Sequence, residues 1–432
     1  MKDMETKLQL ALDFVELKRA IKVAHEAVEG GVDWIEAGTP LIKSEGLDAV
    51  RRLREEFPSR TLIADMKIAD TGRLEVEIAA KAGADIVCVL GGISDSTIKE
   101  CIEAGKNYGA KVMVDMLGVS DVVKRACEVE EWGADFVGIH TPIDAQMRGE
   151  DPFALLDKVV GKVGIPVAVA GGINSETAPE ASRRGASIII VGGAIIKSPD
   201  ARESARIIKK AILQEKPIPT FLYRRVQGEE IRKVLEKVST PNISDALHRG
   251  GVLEGIRCVV RGVKMVGRAF TVRTYPGDWA KPVEAIEKAG EGEVIVVDAG
   301  GVGPAVWGEL ATWSARNKKI AGVVIDGGIR DVSEIRELKF PAFARIITPQ
   351  AGEPKGFGEI GVTVRVGGKA VSPGDWLVGD EDGVVWIPKE KAEEVANRAM
   401  DVLERENRIR KEIQEGGTLS EVMELLRWEK KR

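Results

Sequence analysis

The chain has 432 residues, more than one ordinary hydrophobic core accommodates, so two domains are expected. Its 44% hydrophobic and 30% charged residues describe a globular protein with well-solvated faces. A net charge of -5, without interleaved basic and aromatic residues, gives no support to direct nucleic-acid binding. The four cysteines form no CxxC pair and no zinc spacing, and read as small apolar residues of a reducing compartment. No apolar run approaches a membrane span, and Met1-Lys2-Asp3-Met4-Glu5 is unlike a signal peptide, which together predict a cytoplasmic protein.

From residue 1 to about 214 a unit recurs, in which a helix-like stretch ends in Gly-Ala or Gly-Val and a short β-rich run follows. The instances begin at Gly31, Gly83, Gly109, Gly133 and Gly185, each suited to a helix C-cap. Adding Leu8 to Asp13, Thr61 to Asp65 and Ile165 to Ala170 makes eight candidate strands separated by helical segments. Eightfold strand-helix alternation predicts a closed (β/α)8 barrel of the TIM type, with a doubly wound open sheet as the alternative.

Active groups of such barrels gather where strands end. The polar residues ending these apolar runs are Asp13, Glu36, Asp65, Lys67, Asp115 and His140. In Asp65-Met66-Lys67-Ile68-Ala69-Asp70, two acids and an ammonium crowd one strand end, with Asp65 and Lys67 two apart on one face and Asp70 in the turn beyond. That pattern suits chemistry that creates and quenches negative charge; the alternative is a solvated salt-bridge cluster. The last two strands run into glycine pairs, Gly171-Gly172 and Gly192-Gly193, whose amides are candidates to cradle a phosphate. Of the other histidines, His25 reads as a surface residue of a helix and His248 as structural.

Lys216-Pro217-Ile218-Pro219 resists helix and sheet, which places a linker at 215–227 and a second domain at 228–432. Glycine-punctuated β segments follow at Val259 to Val266, Arg268 to Thr274, Val294 to Asp298, Gly322 to Asp326 and Val384 to Ile387. A charged helix is expected from about Glu390 to Trp428.

The runs Leu8-Gln9-Leu10-Ala11-Leu12-Asp13, Glu36-Ala37-Gly38-Thr39-Pro40, Asp65 to Asp70 and Ala170-Gly171-Gly172-Ile173 resemble the orotidine-monophosphate decarboxylase suprafamily, and within it the 3-hexulose-6-phosphate synthases. The related 3-keto-L-gulonate-6-phosphate decarboxylases carry arginines where this chain has Ile143 and Gly193. His140-Thr141-Pro142-Ile143-Asp144-Ala145-Gln146 is nearer the synthase pattern, departing from it at Pro142. The resemblance implies a Mg²⁺-dependent aldol condensation of formaldehyde with D-ribulose 5-phosphate, or its reverse. Glu36 and Asp65 would hold the metal, Lys67 would stabilise an oxyanion, His140 would move protons, and Asp13 would bond substrate hydroxyls or orient Lys67. Asp70, paired with Lys67, would also reach the site of a second copy, implying a homo-oligomer with shared barrel sites.

A second resemblance begins at Ser239-Thr240-Pro241-Asn242-Ile243-Ser244-Asp245-Ala246-Leu247. It continues through Gly300-Gly301-Val302-Gly303-Pro304, Val324-Ile325-Asp326-Gly327-Gly328-Ile329-Arg330-Asp331 and Asp380-Glu381-Asp382-Gly383. These residues resemble the regulator of ribonuclease activity A family, whose enzymatic relatives include 4-hydroxy-4-methyl-2-oxoglutarate aldolases. The implied fold is an α/β swivelling domain that forms trimers or hexamers. Glu309, Arg330 and Asp331 meet the aldolase spacing: Arg330 for a pyruvate-type carboxylate, Asp331 for Mg²⁺ and Glu309 for a proton-carrying water. Gly300, Gly301 and Gly303, entering an expected helix, would offer amides to the same anion. The alternatives are an Arg330–Asp331 pair that merely caps a helix, and a non-catalytic oligomerisation or ribonuclease-binding module.

Overall fold

The computed structural model describes residues 5–148, 151, 153–220 and 225–423; the side chain of Ile143 and the expected helix end at Trp428 lie outside the described residues. The chain forms two compact units: 1–146, 150–225 and 404–432 make the first, and 147–149 with 226–403 the second.

The first unit is a closed barrel of eight parallel strands in chain order. They are β1 (Lys7–Leu12), β2 (Trp34–Ala37), β3 (Thr61–Ile68), β4 (Ile86–Leu90), β5 (Lys111–Asp115), β6 (Phe136–His140), β7 (Val167–Ala170) and β8 (Ile188–Val191). Alternation decides what faces where. Leu8, Leu10, Ile35, Leu62, Val87, Val112, Val137, Val169 and Ile189 join the core formed with the surrounding helices. The other parity fills the barrel interior with Ile63, Ile86, Cys88, Met113, Phe136, Ala168 and Ile188, with Trp34 and Ile190 packed against them. Asp65 follows Ile63 by two residues, Glu36 follows Trp34, Asp115 follows Met113, and Gly138 separates His140 from Phe136. The polar residues at the mouth therefore stand one layer above an apolar plug.

The second unit is built on a mixed sheet in the order β19-β18-β10-β11-β13-β14-β9, with β12 and β15 attached at its side. Its strands are β9 (Arg257–Cys258), β10 (Met265–Thr274), β11 (Val294–Asp298), β12 (Ala305–Trp307), β13 (Gly322–Ile329), β14 (Ala342–Ile347), β15 (Gly358–Ile360), the β16–β17 hairpin (Val364–Val366, Lys369–Val371), β18 (Trp376–Asp380) and β19 (Gly383–Ile387). The expected segments Val259 to Val266 and Arg268 to Thr274 do not remain two strands: β10 runs unbroken from Met265 to Thr274, and a turn at Arg261–Gly262 precedes it.

The partition differs from a single cut within 215–227. Helix Ala392–Gln414 starts in the second unit, but its residues from Glu404 on belong to the barrel unit. There, buried Arg408 pairs with Glu26 of the barrel helix Leu17–Glu29. A glycine pair, Gly416-Gly417, ends the long helix before the short helix Leu419–Val422. Among the described residues, no helix is long and apolar enough to cross a membrane.

Candidate active site

A cavity of 570 Å³ opens at the C-terminal end of the barrel strands. Its lining brings together Asp13, Glu36, Asp65, Lys67 and His140 with the glycines 171, 172, 192 and 193.

Lys67 organises this mouth. Its Nζ lies 3.0 Å from Asp65 Oδ2 and 3.1 Å from Asp115 Oδ2. Regular alternation does not place it there: the β3–β4 register shifts between Ala64 and Ile68, and Lys67 has φ +47°. This left-handed residue within a strand is a bulge that re-aims the side chain, and such backbone persists where its surroundings fix it. Burial alone would push the Lys67 ammonium pKa down, but the Asp65 and Asp115 charges win and hold it above the ordinary value.

Asp115, rather than Asp70, is thus the second partner of Lys67. Burial pushes the Asp115 carboxyl up, but hydrogen bonding to His140, the Lys67 charge and the Leu117 amide together hold it below the usual range. His140 Nδ1 stands 3.4 Å from Asp115 Oδ2, and the Leu117 amide donates to Oδ1 at 2.9 Å. Asp70 lies outside this cavity: the chain leaves the mouth after Ile68, and the exposed Asp70 carboxylate accepts from the Thr71 amide at 2.7 Å.

Across the mouth sits an excess of buried acid. Burial raises the Glu36 carboxyl well above its ordinary range, and the Asp65 and Asp13 charges add to the shift against an opposing bond from Gln9. Gln9 Nε2 donates to Glu36 Oε2 at 2.5 Å, while Gln9 Oε1 is buried without a hydrogen-bond partner. Thr39 Oγ1 donates to Asp65 Oδ2 at 2.7 Å. Asp13 is also raised, first by burial and then by Asp65, with Lys67, His140 and Lys197 opposing. It is hemmed in by glycine: a Cβ at Gly38 would stand 2.4 Å from Asp13 Oδ1.

Gly171 and Gly172 have φ of +105° and +72°, and a Cβ on Gly171 would meet the Thr141 carbonyl oxygen at 2.5 Å. The second glycine pair opens a one-turn helix, Gly193–Ile196, capped by Lys197, which also lines the cavity.

The sequence pattern places Asp115 among the strand-end acids without naming its partner, and gives no role to Gln9, Thr39, Gln146 or Lys197. Gln9 carried a signal, being an amide inside the apolar run Leu8-Gln9-Leu10. Lys197 carried less, because a lysine after a helical turn is ordinary. His25 is at the surface, its Nε2 3.2 Å from Glu56 Oε2.

In the second unit, the Asp331 carboxylate meets the first backbone amide of helix Glu309–Asn317 and the Arg330 guanidinium. Asp331 Oδ2 accepts the Glu309 amide at 3.1 Å and lies 3.4 Å from Arg330 Nε. Gly308 permits this, since a Cβ there would be 2.5 Å from Asp331 Oδ2. Asp331 takes φ +55° at the junction of β13 and helix Val332–Glu337. The expectation for Gly300, Gly301 and Gly303 is corrected. The Gly300 amide donates to Asp298 Oδ1 at 3.2 Å and the Gly301 amide to the Asp326 carbonyl at 3.0 Å, so neither offers a free N–H. Gly303 leads through Pro304 into β12 and not into a helix. A separate cavity of 660 Å³ in this unit, walled by Tyr275, Asp278, Lys355 and Phe357, does not include the Glu309–Arg330–Asp331 trio.

Comparison with known proteins follows the same division. Residues 6–208 match the Orotidine 5'-phosphate decarboxylase / HUMPS family, and residues 240–386 match RraA-like, Aldolase/RraA. The chain is 41% identical to a 3-hexulose-6-phosphate synthase of Bacillus subtilis over 208 residues, 48% of this chain and 99% of the relative. It is 40% identical to the Mycobacterium gastri 3-hexulose-6-phosphate synthase over 207 residues, again 48% and 99%. The solved RNA-processing inhibitor RraA from Thermus thermophilis is 33% identical, over 35% of this chain and 93% of that one, with a TM-score of 0.33.

Proposed function

Because this chain belongs to the orotidine 5'-phosphate decarboxylase/HUMPS family through its barrel and to the RraA-like family through its second unit, we propose that the barrel is an aldehyde-lyase joining formaldehyde to D-ribulose 5-phosphate, or running that reaction backwards. The observation that carries this reading is Lys67, fixed between Asp65 and Asp115 at the floor of a cavity edged by two glycine pairs. The product of the forward reaction is D-arabino-hex-3-ulose 6-phosphate.

The residues fit a divalent cation. Glu36, Asp65 and Asp13 gather buried carboxylates beside one ammonium; burial first, and the neighbouring carboxylates second, raise Glu36 and Asp13, and a cation would offset both effects. Among the described residues, no three His, Cys, Asp or Glu side chains form a metal-holding group. Glu36 and Asp65 would therefore hold Mg²⁺ as a carboxylate pair, with substrate and water oxygens completing its shell. When bound, the cation lowers the cost of negative charge on the sugar's oxygens.

With Nδ1 facing Asp115, His140 has Nε2 left for substrate and takes a proton from C1 of the ketose. The electron pair left on C1 is delocalised as an enediolate beside the fixed Lys67 charge, an electrostatic arrangement that needs no reorganisation. C1 then bonds to the formaldehyde carbon, and the resulting alkoxide takes the proton back from His140. Asp13 bonds the sugar hydroxyls, and the amides of the glycine pairs hold the phosphate with Lys197 nearby. Exposed Asp70, outside its own cavity, serves the site of a second copy, as the family resemblance implies.

The test is Mg²⁺-dependent consumption of formaldehyde with ribulose 5-phosphate by wild type, its loss on adding EDTA and its loss in Lys67→Ala. A wild type that consumes none, or a Lys67→Ala variant that keeps full rate, overturns the reading. The 3-keto-L-gulonate-6-phosphate decarboxylase alternative is disfavoured by Gly193, which lines the cavity where that enzyme carries arginine.

For the second unit, the half-exposed Arg330 guanidinium beside Asp331 supports a metal-dependent aldolase or decarboxylase acting on a pyruvate-type acid, while the Asp331 bond to the first amide of the Glu309 helix supports the capping alternative. Oxaloacetate decarboxylation by wild type and Arg330→Ala tests it. An inactive wild type would favour the non-catalytic module.

A further inference from the structure

The turn that follows β8 is held from outside by residues that neither family match covers. Beyond residue 386, the chain returns to the barrel unit from Glu404 onward. There the Arg408 side chain, 4% exposed, sends Nη1 and Nη2 to the two carboxylate oxygens of Glu26, each at 3.0 Å. Its Nε donates to Glu412 at 2.9 Å. The same Nη1 reaches the Ser198 carbonyl at 3.2 Å and the Pro199 carbonyl at 3.5 Å. Lys411 adds a bond from Nζ to the Pro199 carbonyl at 2.5 Å.

Ser198 and Pro199 directly follow Lys197, and Gly192, Gly193, Ile196 and Lys197 all line the barrel cavity. The segment is also tied from within. Ser198 Oγ donates to the Asp200 carbonyl at 2.9 Å and accepts from Ser204 Oγ at 2.7 Å. A planar guanidinium shared between a carboxylate and two carbonyls fixes direction as well as distance. Because it is buried, removing it takes both bonds from the Glu26 carboxylate and frees the Ser198 carbonyl, while Pro199 keeps only the bond from Lys411.

We propose that Arg408 is a positioning residue for the phosphate-binding turn after β8. It touches no substrate; it locks the backbone at Ser198 and Pro199, so that the Gly192 and Gly193 amides and the Lys197 ammonium stay aimed at the sugar phosphate. This rests on the sugar-phosphate reading above and adds to it a residue outside the barrel repeat.

Full-length wild type, Arg408→Ala, Arg408→Lys and the exposed control Arg410→Ala are compared by two readouts. One is the KM and kcat for ribulose 5-phosphate; the other is calorimetric binding of inorganic phosphate, which does not depend on turnover. The expected result for Arg408→Ala is a KM and a phosphate dissociation constant that both rise about tenfold, the equivalent of about 1.4 kcal/mol, with kcat within about twofold. Arg408→Lys should recover part of the loss, and Arg410→Ala should match wild type. A variant that merely melts earlier, with KM and phosphate binding unchanged, overturns the proposal. If Arg408→Ala does not fold, Arg408→Lys decides, and wild-type phosphate affinity in it is equally fatal. A wild type that neither turns over nor binds phosphate removes the underlying reading, whereas one that does both while Arg408→Ala equals it removes the brace alone.

Discussion

The two units offer acid-and-cation clusters of opposite construction. In the barrel, Glu36 and Asp65 are 6% and 7% exposed, and Lys67 is clamped between two carboxylates. In the second unit, the Arg330 and Asp331 side chains are 42% and 36% exposed. Charges act strongly where water is excluded and weakly where it is not. A buried cluster arrives with its electrostatics already set, while an exposed one acquires its field when a ligand or partner covers it. The barrel mouth therefore carries a field set by its own buried charges, whereas the field at Arg330 is screened by solvent.

Breaking the buried cluster should have the largest effect. Lys67→Ala is expected to lower kcat/KM for the formaldehyde reaction by about 10²–10³-fold, the range for a lost oxyanion-stabilising group. Oxaloacetate turnover by the same variant should not change. Next comes Gln9→Ala, which removes the donor that orients Glu36. It should weaken Mg²⁺ binding about 10–100-fold, measured by calorimetry on the protein without substrate. Unchanged metal affinity would show that Gln9 only fills space. Arg330→Ala should reduce oxaloacetate decarboxylation by about tenfold, at the lower end for hydrogen bonds to charged groups because the site is solvated. It should leave the barrel reaction intact, and loss of both activities would merge the two regions into one functional system.

The smallest effect is on stability. The Asp13 carboxyl is held above its ordinary range, so the folded chain retains a proton that the unfolded chain has released. The stabilisation linked to that proton is complete below the ordinary aspartate value and is lost as pH rises through the folded value. Metal-free Asp13→Asn should then melt above wild type at about pH 8, by about 2–4 °C for each kcal/mol recovered, and the gap should close by about pH 4. A gap that persists in acid would point to packing instead of charge.

The barrel strands and most of their terminal acids were legible because parity in a β-strand is rigid: a carboxylate two residues beyond an inward apolar residue must also face inward. Legibility failed where the backbone leaves that rule. The left-handed Lys67 bulge gives no composition signal, so the pattern alone pairs Lys67 with nearby Asp70, whereas its second partner is Asp115 from another strand. Gly300 and Gly301 looked like an anion cradle because glycine pairs commonly are, yet their amides turn towards Asp298 and Asp326. Arg408 was invisible for a different reason: a basic residue on a charged helix reads as solvated until Glu26, 382 positions away, is seen opposite it.

The return of residues from Glu404 onward to the barrel unit also bears on synthesis. A ribosome delivers all eight barrel strands, and then the whole second unit, before Arg408 emerges. Until that moment the Glu26 carboxylate and the carbonyls of Ser198 and Pro199 lack the guanidinium they share in the finished structure. Nascent chains halted just short of residue 404 would thus hold all eight barrel strands with those three acceptors still without their guanidinium, and the last barrel turn would await a residue made after the whole second unit.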